Sequence, residues 1–308
     1  MDGLTIQKRV YDILSESGGS SWVSARKTYD FVFSAVCEYM ERVQGNVGTK
    51  TITTVANQAE YSLGNDFLNL YLKDRYDRKY IMYSINGTTY QPIYWTDYSD
   101  IIIGQAAAQP TVQRFSIIDD YAISTITGTA TAAGSLVNGE TVLTDSAAPF
   151  VNVNPGDSIQ NLTDGSTGIV LWVNSTLSLV TALFDGTNNT WANHDSYAIA
   201  YEGRKNLVLD PEPSLSSQLL SVPYVTRPNP VYSPIRAYPM QTQDMDAIIY
   251  GAVSKYKERD QKPQEADYFY KKFDAQIRKA TRQRQKAQGN DTIPVTYIRR
   301  GYSDGSGR

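Results

Sequence analysis

The chain holds one cysteine, one histidine and no apolar run near the roughly 20 residues that a membrane span requires. A lone Cys37 excludes an internal disulfide, and Phe33, Val36 and Met40 around it at helical spacing predict a core position rather than a nucleophile. The lone His194 falls in Trp191-Ala192-Asn193-His194-Asp195, with no nucleophile or orienting partner signalled nearby, and predicts a surface turn rather than a general base. A zinc site would need carboxylates throughout. Phosphate loops of the Gly-Lys-Ser type, dinucleotide fingerprints and calcium loops are missing. Asp119 and Asp120, adjacent on a strand, point to opposite faces and cannot converge on a metal. The expectation is a protein with no catalytic residue, metal or cofactor, and not an enzyme. The start, with Asp2 and no early basic cluster, does not read as a signal peptide, which predicts a cytoplasm-like compartment and no membrane partner.

Positive charge is missing from one long stretch. Between Arg114 and Arg204 there is no Lys or Arg, while Asp119, Asp120, Glu140, Asp145, Asp157, Asp164, Asp185, Asp195 and Glu202 are negative. With −3 overall and −9 inside, the remainder carries +6. That break marks an acidic module, 121–200, set inside a mildly basic host of 1–120 and 201–290. The nine negative charges between Arg114 and Arg204, six of them within 121–200, predict that the module faces away from any nucleic acid.

What is present is patterned. Residues 4–17 predict a helix with Leu4, Val10, Ile13 and Leu14 on one face; Ser21 can cap a second helix to about Val43, with Gly45 as its stop. Thr51 to Val55 alternates as a strand, and Ile81–Ile85, Asn86-Gly87 and Thr89–Tyr94 predict a hairpin with a tight turn. Asp97 to Ile103 fits a helix or a strand. Within 121–200, turn signals at Asn138-Gly139, Asn154-Pro155-Gly156-Asp157, Asp164-Gly165 and Asp185-Gly186 separate short runs, which predicts a small barrel or sandwich. Asn206–Leu209 and Leu219–Thr226 read as strands around a Pro-stiffened turn, and Arg227 to Pro239 as an extended belt.

The organising stretch is Thr242 to Gln288. Met245, Ile248, Ile249, Ala252, Val253 and Tyr256 predict a core-facing helix; Pro263 restarts it, and Ala266, Phe269, Phe273, Ile277 and Ala280 continue the stripe. Lys271, Lys272, Arg278, Lys279, Arg282, Arg284 and Lys286 crowd the other surface, and past Ala280 no stripe remains, so the helix is expected to leave the core there and run on as a basic rod. A solvated face, a phosphate-binding face and a surface for an acidic protein all fit that run. An arm, 291–308, follows, in which Ile293, Val295, Tyr297 and Ile298 stand beside Arg299 and Arg300.

The order of these pieces resembles the head-to-tail connector, or adaptor, proteins of tailed bacteriophages. The resemblance is carried by the opening helix pair, Gln58-Ala59-Glu60-Tyr61-Ser62-Leu63 with Asp66-Phe67-Leu68, and Gln109-Pro110 with Phe115-Ser116-Ile117. Leu207-Val208-Leu209-Asp210-Pro211-Glu212-Pro213, Val222-Pro223-Tyr224, Arg227-Pro228 and the Met245–Tyr256 helix complete it, over about 220 residues outside the acidic module. It implies an α+β fold: a helical adaptor core of an N-terminal helix pair and long C-terminal helices, a β-sheet portion, and an inserted small all-β barrel or sandwich module. It further implies a homo-oligomeric ring of about twelve copies beneath the portal. Such a ring, in the virion neck after assembly in the host cytoplasm, extends the DNA channel to the tail. Its partners would be the portal protein, a tail tube or nozzle protein, neighbouring copies, the genomic DNA and, through the module, tail fibres. Arg282, Arg284, Lys286, Ile293, Val295, Tyr297, Ile298, Arg299 and Arg300 would bind portal or neighbour, and Lys271, Lys272, Arg278 and Lys279 would form a basic face toward DNA or a partner. Two other classes fit less of the sequence: another virion part, such as a tail-tube or fibre-attachment component using the module as its surface, and a carbohydrate-binding or hydrolytic protein using the module's acids.

Overall fold

A computed structural model of the chain describes residues 2–14, 24–64, 66–73, 76, 78–103, 107–120, 125–147, 149–200, 204–238, 240 and 242–287. Helices α1 (Gly3–Leu14) and α2 (Ala25–Val43) come first. Strands β1 (Val47–Thr53), β2 (Glu60–Gly64), β3 (Phe67–Leu70), β4 (Tyr80–Ser84) and β5 (Gln91–Trp95) follow, then α3 (Tyr98–Ile103) and β6 (Arg114–Asp120). Next are β7 (Thr125–Thr129), β8 (Thr141–Thr144), β9 (Ser158–Asn161), β10 (Thr167–Ser175), β11 (Ser178–Phe184) and β12 (Ser196–Ala200). The chain closes with β13 (Arg204–Asp210), β14 (Leu219–Thr226), α4 (Thr242–Arg259) and α5 (Pro263–Ala287).

Fourteen strands in two curled sheets, with five α-helices among the described residues, make a mostly β architecture. The expected helical adaptor core with a small β module is overturned. Long amphipathic helices announce themselves by period, whereas the strands of the first sheet are short, scattered and paired across the chain, so their sum is underweighted in sequence.

The first sheet has eight strands in the order β1-β14-β4-β5-β6-β13-β2, with β3 also beside β14. Its pairs are antiparallel except β5 with β6, which are parallel and joined through α3. Ile52, Leu63, Leu70, Ile81, Tyr83, Phe115, Leu209 and Val222 form a core with no helical member, so the sheet encloses its own interior. Its two edges come close: a side chain begun at Gly64 of β2 would stand 3.6 Å from Lys50 Nζ of β1.

The second sheet is local, in the order β7-β12-β9-β10-β11-β8. It curls until the chain after β7 meets β8, with Thr131 N donating to Thr144 O at 2.8 Å. Leu143, Phe150, Ile159, Val170, Leu179, Trp191 and Tyr197 fill it. Its outside is not free: Leu171, Val180 and Ala182, alternating with inward residues on β10 and β11, join the core of the helices. Being covered on both faces, β11 reads as an almost unbroken apolar run. The sheet thus packs its outer face against the helices.

The helices correct the sequence in detail. Ser24, not Ser21, caps α2 by accepting from Lys27 N, and Gln44 in a left-handed conformation, not Gly45, ends it; Ser21 lies outside the described residues. In α1, Ile6, Val10 and Leu14 are buried while Leu4 is exposed. The Asn86-Gly87 turn is wider than predicted: residues 85–90 separate β4 from β5, and Asn86 Oδ1 accepts from Thr88 N and Thr89 N at 3.1 and 2.9 Å. The ambiguous Asp97–Ile103 segment holds α3.

The expected stripe of α5 lies in the core because α5 folds back antiparallel on α4: Ser254 Oγ bonds Ala266 O at 2.9 Å, Tyr250 stacks on Phe269, and Asp244 and Ala280 line one small void. None of residues 281–284 is buried, in line with the expected exit from the core past Ala280. Gly251 allows the close crossing, since a Cβ there would lie 3.0 Å from Ala35 and 3.3 Å from the Phe273 ring. A stripe of Ala266, Phe273, Ile277 and Ala280 holds α5 down to within two turns of its end.

Candidate partner-binding surface

Pro263 opens α5, where its missing N–H costs nothing, and the buried stripe fixes which way every other side chain faces. Lys271 is exposed and paired with Asp267 one turn back at 2.6 Å. Lys272 lies over the Tyr268 ring at 4.5 Å and near Tyr250 and Phe269, and its contact with the Tyr268 hydroxyl raises its pKa. Asp274 is shared between Arg42 of α2 and Arg278, and the Arg42 guanidinium holds its carboxyl below the ordinary value.

Ala275, Arg278, Lys279 and Arg282, at helical spacings of three and four, form an exposed ridge bordering a shallow hollow of about 430 Å³. Arg278 is held by Asp274 at 2.8 Å. Lys279 and Arg282 have no acidic partner among the described residues. Arg284 turns away from this ridge: its Nη1 donates to Gln44 O at 3.3 Å and it borders a separate groove between α5 and α2. Lys286 sits in the last turn of α5, its side chain outside the described residues; Ile293, Val295, Tyr297, Ile298, Arg299 and Arg300 also lie outside them. The structure thus brings Arg278, Lys279 and Arg282 together and turns Arg284 away from them, while Lys271 and Lys272 lie two turns earlier on the same helix, held by Asp267 and Tyr268.

The acids of the module do not form the negative surface that counting suggests. Asp145, Asp157 and Asp195 are buried. Tyr197 Oη donates to Asp145 at 2.6 Å, Asn154 N to Asp157 at 2.9 Å, and both Asn161 Nδ2 and Ala192 N to Asp195 at 2.8 and 2.7 Å. Burial pushes Asp164 up, but donors from Ser166 and the backbone outweigh it and leave its carboxyl below the usual range. Glu140 pairs with Arg236 and Asp185 with Arg26, both cations from outside 121–200. Cations of the rest of the protein thus offset Glu140 and Asp185, while Asp145, Asp157 and Asp195 are drawn inward to hold turns. The signal was available in sequence as Asp and Asn at turn positions, which bond their own backbone.

His194 is exposed with a positive φ of 73° in its turn. Cys37 packs at the edge of the helical core, and burial raises its thiol pKa against the opposing effect of nearby Arg227. Among the described residues no group of three or more His, Cys, Asp or Glu is placed to hold a metal ion, and no helix is long and apolar enough to cross a membrane. Compared with known proteins, the sequence matches no family model and no curated protein.

Proposed function

We propose that this chain is a structural, non-enzymatic connector of a tailed bacteriophage. In this reading copies form a ring of about twelve in the virion neck, after assembly in the host cytoplasm. The ring joins the portal above to a tail tube or nozzle protein below and continues the DNA passage. The observation that supports it best is the ridge of Arg278, Lys279 and Arg282: cations on an exposed face of a helix whose opposite face is locked in the core. A rigid ridge repeated around a ring gives many weak phosphate contacts, which add by avidity and fade with salt. The order of motifs in the sequence supplies the specific class.

Electron microscopy of the purified full chain, alone and with portal, tests the assembly: a short, wide ring is expected, and a fibre or spike overturns the reading. Lys279→Glu with Arg282→Glu tests the ridge. The pair is expected to lower duplex DNA binding by about tenfold at low salt and to flatten its salt dependence, with stability changed by less than about 0.5 kcal/mol. Unchanged DNA binding would remove the ridge from the channel.

A second reading, a tail-tube or fibre-attachment component, is favoured by one observation. The loops around the second sheet expose Leu136, Val137, Val151, Leu162 and Leu177, with Val151 at 71%. Scattered over one sheet, they offer apolar anchors to tail fibres or another tail protein.

A further inference from the structure

Where the end of α2, the end of α5, the belt of residues 227–240 and the second sheet meet, the protein has an open groove of about 980 Å³. Its lining mixes Met40, Trp172, Pro228 and Met240 with the cations Arg227 and Arg284. The guanidiniums are held in advance. Arg227 lies over the Phe33 ring at 4.9 Å, Arg236 over Trp172 at 3.9 Å, and Arg284 is bonded to Gln44 O. Such a surface suits an extended peptide, whose alternate apolar side chains lie against flexible methionines while its carbonyls meet fixed donors.

The sequence supplies a segment of that kind. After α5 ends at Ala287, twenty-one residues follow, in which Ile293, Val295 and Tyr297 alternate with Pro294 and Thr296 before Arg299 and Arg300. Asp66 and Asp244 also line the groove, beside Arg227, Arg236 and Arg284. From the geometry we infer that the groove receives residues 292–300 of a second copy of this chain. Fully extended, residues 288–300 reach about 45 Å from the end of α5, enough for an adjacent subunit. Its own groove is the harder target: Arg284 already bridges α5 to α2 there, and the chain would have to double back around it within residues 288–292. The inference rests on the self-association that the connector reading requires, and names the contact that provides it.

Engineered cysteines in the full chain test it, because Cys37→Ser leaves a cysteine-free background. Asn229, exposed in the groove lining, becomes Asn229→Cys in one preparation, and Val295→Cys is made in another. Mixed and oxidised, the two are expected to give disulfide-linked dimers about tenfold above a control that pairs Val295→Cys with Thr88→Cys. A single chain carrying both cysteines should give a ladder of linked oligomers, and Met240→Glu should reduce both products. Linkage only within one chain, or no more than in the control, overturns the inference. If a ring still forms in that case, the connector reading stands and the copies are held elsewhere. Linked dimers from a protein that forms no ring and joins no head would instead retain this contact and sink the connector.

Discussion

The two sheets solve the same packing problem in opposite ways. In the first, β1 pairs with β14 and β2 with β13, so the ladder joins ends of the chain more than a hundred residues apart, as in Ile52 with Leu220. In the second, all six strands come from residues 125–200, and buried carboxylates hold their turns. The first is thus a clasp that needs the whole chain. The second has a core of its own and reaches the rest of the protein through one shared apolar face and the ion pairs of Arg26 and Arg236.

The sharpest way to break this contrast is to empty each core. Phe115→Ala in the first sheet and Trp191→Ala in the second remove fully buried rings, each costing about 3–5 kcal/mol. Phe115→Ala is expected to lower the denaturation midpoint for the whole molecule. Trp191→Ala should expose amides of β7–β12 to hydrogen exchange while β13 and β14 stay protected. Equal loss of protection in both sheets would mean that Leu171, Val180 and Ala182, packed on the helical core, couple the second sheet through the helices to the first.

A smaller effect is expected at the pegs. Asp195→Ala strands the Asn161 amide and the Ala192 N–H in a buried turn, at a cost of about 3 kcal/mol by thermal denaturation, confined to the second sheet. Alkaline pH probes the helical layer instead. Burial raises the Tyr29 pKa from 10.0 to about 12, so the folded state favours the neutral phenol. That contribution is complete below pH 10.0 and is lost as pH rises toward about 12. Tyr29→Phe should flatten the alkaline fall in stability, followed by tyrosinate absorbance.

The smallest effect belongs to the half-exposed pair that ties α5 to α2. Arg42→Ala should cost about 1 kcal/mol or less at neutral pH. Because Asp274 is held below 3.8, its contribution is present above that value and lost as pH falls through the lowered pKa. The variant should therefore lose less stability than the parent between neutral and strongly acid pH, measured by helix content.

Legibility in sequence followed the range of the interactions. The 3.6-residue period exposed α2, α4 and the stripe of α5, since a helix's bonds and face are set within one segment. Turn chemistry exposed the second sheet strand by strand: Asn138, Gly139, Gly156, Gly165 and Asp185 all take positive φ. The first sheet was undercounted because nothing local in Thr51–Thr53 names Leu219–Ser221 as its partner. Of the candidate surface, the cations were visible but their grouping was not. Arg278, Lys279 and Arg282 stay on one ridge, whereas Arg284 is drawn to the end of α2 by the Gln44 carbonyl. The groove was invisible, being assembled from six separate parts of the chain.

Sequence by itself determined where the helices run, where the turns of the second sheet fall, and that α5 carries one apolar and one basic face. These depend on bonds and periods that span a few residues. The tertiary structure alone decided that α5 doubles back on α4, because a three-residue link and the close crossing at Gly251 let its stripe find a core already built. It also decided that acids counted as surface charge are internal pegs, since burial and pairing belong to neighbours that folding brings together.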